Sequence, residues 1–266
     1  MTIPRWQQHC GAPAVLLLLA ALFFPLRAAL AQAGATLSAA PAVVNLQGKT
    51  GQSATQTLTI SNGSNQAMAF EMVAKDVIVR NGRRVFVSAG DLPGSIAATA
   101  VFSQKLVTVS PGQLASVDVT VTIPPNPSGR AMVAYFQGTT RIPNGPVAAT
   151  ASLGILFVFT LSDNLSMQTT PLVIQPPTRT SNLAASQDCV NSGSEPVIAK
   201  GILAIVDRAG HVVGKSALPD HRLLPGERVS VRTDYAGELS PGRYRALVTY
   251  DLGPKSVTST AEFQVR

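Results

Sequence analysis

One uncharged apolar run, Leu153 to Leu161, constrains this chain more than any other stretch beyond its N-terminus. It is too short to cross a bilayer as a helix, which takes about 20 residues, and it suits a strand of roughly 30 Å. Side chains alternate across a strand, so Leu153, Ile155, Phe157, Phe159 and Leu161 share one face while Gly154, Leu156, Val158 and Thr160 share the other. Both faces are apolar at the centre. A strand with one wet face alternates apolar with polar, so this one calls for a second cover: another sheet layer, a second domain or another protein. An ordinary core strand or domain interface is one reading, and an exposed strand offered to a client is the other.

The N-terminus has the pattern of an export signal over residues 1–33. Arg5 is the positive flank, Ala14 to Leu26 the apolar segment, and Ala29-Leu30-Ala31 or Ala31-Gln32-Ala33 supplies small residues for cleavage. Cys10 precedes the apolar segment and is not placed to carry a lipid. A cut near Ala31 removes Arg5 and Arg27, taking the 21 basic residues to 19 against 14 acidic ones, a formal charge of +5. That favours encounter with anionic envelope components without specifying one. Cys189 is then the only thiol, so no intramolecular disulfide forms and stability rests on packed cores. About 235 remaining residues fit two domains, each large enough for its own core.

From Gly34 onward, short apolar or alternating segments are broken by Gly, Pro, Asn and Ser, with almost no helical periodicity. The pattern predicts strands over 42–46, 55–61, 67–79, 84–87, 105–109, 114–123, 131–137 and 149–161. Asn62-Gly63, Asn81-Gly82, Pro93-Gly94, Pro111-Gly112 and Asn126-Pro127-Ser128-Gly129 serve as turns. About eight strands at this spacing indicate an antiparallel sandwich. The landmarks then recur in order: Asn62-Gly63-Ser64 as Asn191-Ser192-Gly193, Pro111-Gly112 as Pro225-Gly226, and Gly129-Arg130 as Gly242-Arg243. Two copies imply tandem domains of one fold, over 34–164 and 165–266. Tyr244, just after Pro241-Gly242, has the placement of a tyrosine corner, in which the hydroxyl folds back onto the preceding loop. Ala131 falls at that place in the first half.

Leu58 to Asn62, Val109-Ser110-Pro111-Gly112 with the Val-rich strand to Ile123-Pro124, Gly129 to Tyr135 and the strand from Leu153 together resemble the N-terminal immunoglobulin-like domain of PapD-type periplasmic pilus chaperones. Asn191 to Gly193, Asp207 to Gly210, Leu224 to Gly226, Leu239 to Ala246 and Tyr250 to Gly253 look more like the WxL-interacting, cell-wall-associated proteins. The resemblance implies an all-β fold of two tandem immunoglobulin-like Greek-key sandwiches. It also implies a periplasmic chaperone that assists assembly of a pilus-type surface appendage by β-strand donation to a secreted subunit. The donating residues would be Leu153, Ile155, Leu156, Phe157, Val158, Phe159 and Leu161.

No constellation of catalytic groups stands out. His211 and His221 lack the spacing of a metal motif, Cys189 reads as a packed thiol, and Gly210 to Ser216 is one residue short of a phosphate loop and lies between Val-rich strands. No enzyme, metal or cofactor is expected. Few aromatics and no basic helix argue against nucleic acid. Arg80, Arg83 and Arg84 surround a hairpin tip and could contact carboxylate or phosphate on an envelope polymer, which gives the alternative reading of a surface-binding module.

Overall fold

A computed structural model describes residues 37–141 and 148–266, so the expected export signal over 1–33 lies outside the described residues. The chain makes two sandwiches in tandem, each a pair of sheets. In the first, one sheet runs in the order β1 (Leu37–Ala40), β3 (Ser53–Asn62), β8 (Leu114–Thr122), β6 (Val101–Phe102). The facing sheet runs β2 (Val43–Gln47), β10 (Ala148–Thr160), β9 (Ala131–Arg141), β4 (Met68–Arg80), β5 (Arg83–Ser88), with β7 (Leu106–Val109) also on β4. In the second, β11 (Met167–Thr169) and β12 (Val173–Gln175) flank β13 (Leu183–Asn191), whose other partner is β17 (Arg228–Tyr235). Against them lie β15 (Val212–Ala217), β14 (Val197–Val206), β18 (Gly242–Asp251) and β19 (Ser256–Val265), with β16 (His221–Leu223) on β14. Consecutive strands β3 and β4 lie in opposite layers, as do β8 and β9, which is the Greek-key crossing of an immunoglobulin-like fold.

All eight predicted strands are present within a few residues of their expected ends. β1 and β6 were not expected, since β1 is a four-residue stretch of mostly small residues and β6 has only two. Each sandwich has its own core: Leu58, Phe70, Val119, Phe136 and Phe157 in the first, and Leu183, Leu203, Val231, Val248 and Tyr250 in the second. Phe70 and Phe136 meet edge to face at 6.3 Å.

The internal repeat is present in the strand pairings themselves. Leu58 pairs with Val117 as Gln187 does with Val231. Met72 pairs with Phe136 as Gly201 does with Tyr250, and Met68 with Val109 as Val197 does with Leu223. Both copies are pinned by a fully buried asparagine. Asn62 Nδ2 donates to the carbonyls of Gln66 (2.7 Å) and Val109 (2.9 Å); Asn191 Nδ2 donates to those of Glu195 (2.8 Å) and Leu223 (2.9 Å). The Gly112 and Gly226 amides donate to the Asn62 and Asn191 carbonyls at 2.7 and 2.9 Å, and both glycines hold positive φ, 70° and 77°. Asn62-Gly63 and Asn191-Ser192 are therefore buried polar corners more than simple turns.

Tyr244 Oη donates to the Ser240 carbonyl at 2.7 Å, as a tyrosine corner requires. The pairing of Val77 with Ala131 matches that of Val206 with Arg245, which places Arg130, and not Ala131, at the position equivalent to Tyr244. The repeat is offset by one residue there.

Removing either corner amide strands two buried carbonyls, so Asn62→Ala and Asn191→Ala should each lower the unfolding free energy by about 2 to 4 kcal/mol in denaturant titrations. Gln66→Ala, at an exposed residue that uses only its backbone here, should change it by less than about 0.5 kcal/mol.

Candidate functional site

β10 is apolar on both faces because both are covered within the molecule. Ile155, Phe157 and Phe159 point into the first core and are 0%, 0% and 1% exposed, with Leu153 and Leu161 packed at its margins. On the outer face Val158 is buried and Leu156 half-buried in a third cluster with Val77, Ala131, Val133 and Leu224, and Leu224 comes from the second sandwich. Of the covers that the sequence left open, the second domain supplies the one over Leu156 and Val158. Gly154 has a separate reason, because a Cβ there would stand 2.8 Å from the Tyr135 ring and 2.9 Å from Val133. Tyr135 in turn meets the half-exposed Phe86 edge to face at 6.2 Å.

Among the described residues, part of one edge of β10 has no partner strand. β9 pairs with β10 from Ala148 to Val158, whereas β2, parallel on the other side, pairs only from Leu156 to Thr160. The Leu156 amide donates to the Ala42 carbonyl at 3.2 Å, and alternation turns the amides of Gly154 and Ser152 toward the same side. Among the described residues no strand meets Ala148 to Ile155 there.

The joint under β10 is polar at its rim. Arg84 Nε donates to Glu227 Oε1 at 2.8 Å and Arg84 Nη2 to Glu227 Oε2 at 3.1 Å and to the Arg222 carbonyl at 2.7 Å. Arg130 Nε lies 3.2 and 3.3 Å from the two oxygens of Glu195, which also accepts from the Leu161 amide (2.9 Å) and Ser162 Oγ (3.0 Å). Asn81 and Gly82, at φ 53° and 75°, make the tight turn that carries Arg80 to Arg84, and the Gly82 carbonyl accepts from the Arg228 amide at 3.0 Å. Of the three arginines expected to meet an anion at this hairpin, Arg84 has an internal carboxylate partner. Arg80 and Arg83 are exposed.

Sequence reasoning missed Glu195, Leu224 and Glu227. The repeat held the signal: the equivalent positions in the first sandwich are Gln66, Ser110 and Gln113, so two amides and a hydroxyl give way to two acids and a leucine where the second copy meets the first. Cys189 is buried in the second core, and burial pushes its thiol above the ordinary range, away from nucleophilic use. His211 is exposed beside Asp207, and His221 lies on β16. Among the described residues no three His, Cys, Asp or Glu side chains cluster as metal ligands, and no helix is long and apolar enough to cross a membrane.

No protein-family model and no curated protein matches the chain. Similar solved structures include the class 5 fimbriae chaperone CfaA, 12% identical, covering 86% of this chain and 98% of that chain at a TM-score of 0.46. The E. coli chaperone DraB is 13% identical over 87% of this chain and 98% of its own, with a TM-score of 0.38. The CsuC-CsuE chaperone-tip adhesion subunit complex of Acinetobacter baumannii is 9% identical over 85% and 98%, with a TM-score of 0.41.

Because Phe157 belongs to the core, Phe157→Ala should cost about 3 to 5 kcal/mol in chemical denaturation. Ser152→Ala, at an exposed position, should cost less than about 0.5 kcal/mol.

Proposed function

We propose that this chain is a non-enzymatic, exported chaperone-like protein that captures a secreted β-rich subunit of a pilus-type appendage by strand pairing along β10. The observation that carries this reading is the edge from Ala148 to Ile155. It is unpaired on the β2 side among the described residues, and its sequence contains neither charge nor proline. Proteins ordinarily protect such an edge with charged side chains, prolines or bulges. The edges of β5, β15 and β17 here carry Arg83 and Arg84, Lys215, and Arg228, Arg232 and Asp234 respectively. Ala148 to Ile155 has no such guard, which suits a strand whose backbone groups pair with a client.

In this reading the two sandwiches, divided at 164 and 165, have distinct tasks. The first presents β10, and the second seals the outer face of that strand through Leu224, so that the client meets backbone at the edge. Leu153 and Leu156, half-buried beside the opening, are the side chains placed to touch it. Export to the periplasm follows from the Ala14 to Leu26 segment.

Ser152→Pro tests the mechanism. It deletes an amide turned toward the open side while leaving β9 its bonds, and proline is tolerated on an edge. Co-expression with a secreted subunit that lacks its terminal strand should give at least about tenfold less co-purified subunit than wild type, a loss of roughly 1.4 kcal/mol. Ser152→Ala should capture normally. Full capture by a folded Ser152→Pro variant would contradict strand pairing.

A further inference from the structure

The joint between the sandwiches has a counterpart at the far end of the second one. In the first sandwich the end of β4 and the start of β9 form a pocket of about 400 Å³, and Ser194 and the Leu224-Pro225 corner of the second sandwich complete its wall. Leu224 packs there on Val77, Val79, Ala131 and Val158. The strand registers carry each of these places into the second sandwich. Val77 and Ala131 correspond to Val206 and Arg245, so Val158, which pairs with Ala131, corresponds to Glu262, which pairs with Arg245. Two residues further along β4 and β14, Arg208 takes the place of Val79; two residues earlier on β9 and β18, Arg243 takes that of Gly129.

These residues again line a pocket. It measures about 620 Å³ and is built from the turn Asp207 to Gly210, the start of β18 and the end of β19, all within the second sandwich. β14 starts beside the joint, where Val197 pairs with Leu223, and takes ten residues to reach Val206. The second pocket therefore lies about 30 Å from the first.

Its lining has changed from aliphatic to charged. Arg208 and Arg243 are exposed, and among the described residues neither forms an ion pair. Arg245 has only Glu262, at 3.7 Å between two exposed side chains, a contact that water screens. Asp207 does not answer the arginines, because it accepts from the His211 amide at 2.8 Å and lies 3.4 Å from His211 Nδ1, within its own turn. Three guanidinium groups around one concavity match carboxylates, as Arg84 and Arg130 do in the joint.

We propose that this distal pocket docks an acidic turn of a second protein, in the way that the first pocket receives the Leu224-Pro225 corner. A Glu or Asp of the partner enters among Arg208, Arg243 and Arg245, where the first pocket takes a leucine. A second copy of this chain does not fit. The corner it would present head to tail carries Gln66, Ser110 and Gln113 at the positions of Glu195, Leu224 and Glu227, without an acid. Its own Glu195 and Glu227 are already held by Arg130 and Arg84. The site stands apart from β10, so it does not depend on strand pairing, and both can be occupied at once.

The probe is a corner of the Leu224 type with an acid in place of that leucine: the hexapeptide Leu-Glu-Pro-Gly-Glu-Gly, acetylated and amidated. It is titrated into the ¹⁵N-labelled exported chain, beside the same peptide with Gln for each Glu, and beside inorganic phosphate. The amide resonances of Asp207 to Gly210 and Arg243 to Arg245 should shift with a roughly millimolar Kd for the acidic peptide, and at least about tenfold more weakly for the neutral one. Arg208→Ser combined with Arg243→Ser, both at exposed positions, should keep the folded spectrum and weaken the acidic peptide at least about tenfold. Lys215→Ser, at an exposed cation on β15 that does not line the pocket, should bind as wild type does. No shift at about 20 mM acidic peptide, equal shifts from the neutral peptide, or undiminished binding in the double variant would overturn the site. An equal loss in Lys215→Ser would reduce the effect to net charge, and equal shifts from phosphate would reduce it to an adventitious ion only; either overturns the proposal. So would a concentration-dependent dimer in sedimentation that the double variant abolishes, since the pocket would then belong to a second copy.

Discussion

Glu195 is the contact on which the arrangement of the two sandwiches depends. Its side chain is 1% exposed, and it accepts from Arg130, from the Leu161 amide at the end of β10 and from Ser162 in the connection that follows. One carboxylate thus ties the last strand of the first sandwich, the start of β9 and the linker to the corner of the second sandwich that Asn191 organises. Buried ion pairs add little net stability over apolar packing, but loss of one partner leaves a charge stranded, so they select one geometry and penalise others. That geometry sets Leu224 over Val158 and closes the outer face of β10.

The two sandwiches show how a duplicated unit becomes a joint. Their buried asparagines, their glycine turns and their strand registers coincide, so the backbone scaffold is common to both. Among their many differences, a few define the joint. Glu195, Leu224 and Glu227 stand at the positions of Gln66, Ser110 and Gln113, and Arg130 stands where the second copy has its corner tyrosine. At Glu195, Leu224 and Glu227 an exposed polar group gives way to one that needs a specific partner, an acid for a guanidinium or an aliphatic side chain for a cleft. Arg84 and Glu227 retain more access to water than Arg130 and Glu195, so their pair is more screened and constrains the joint less.

Much of the fold was legible because its signals are local. Gly and Asn at turns, alternation along strands and the Pro241-Gly242-Tyr244 corner each act within a few residues, and all of them reappear in the structure. The apolar run at Leu153 to Leu161 was legible as a strand with two covers, and the nature of the second cover was not. Leu224 lies far away in sequence, and a Leu-Leu pair before a Pro-Gly turn has no pattern that marks either residue as a lid. Arg84 looked free for the same reason, because hairpin arginines usually face water and its partner Glu227 is in the other half of the chain. The open edge could not be read at all. Periodicity reports which face of a strand is apolar, and says nothing of whether the backbone groups beside it have a neighbour.

The central claim is that β10 keeps a backbone edge from Ala148 to Ile155 for a client while its faces are covered from Ile155 to Phe159. Backbone amide hydrogen exchange on the free chain, residue by residue along β10, tests it most directly. The account predicts that the Leu156 amide, bonded to Ala42, is protected by at least about a hundredfold relative to those of Ser152 and Gly154, which exchange freely and become protected when a subunit binds. Strong protection of Ser152 and Gly154 in the free monomeric chain would mean that the edge is already covered, and the account would fail.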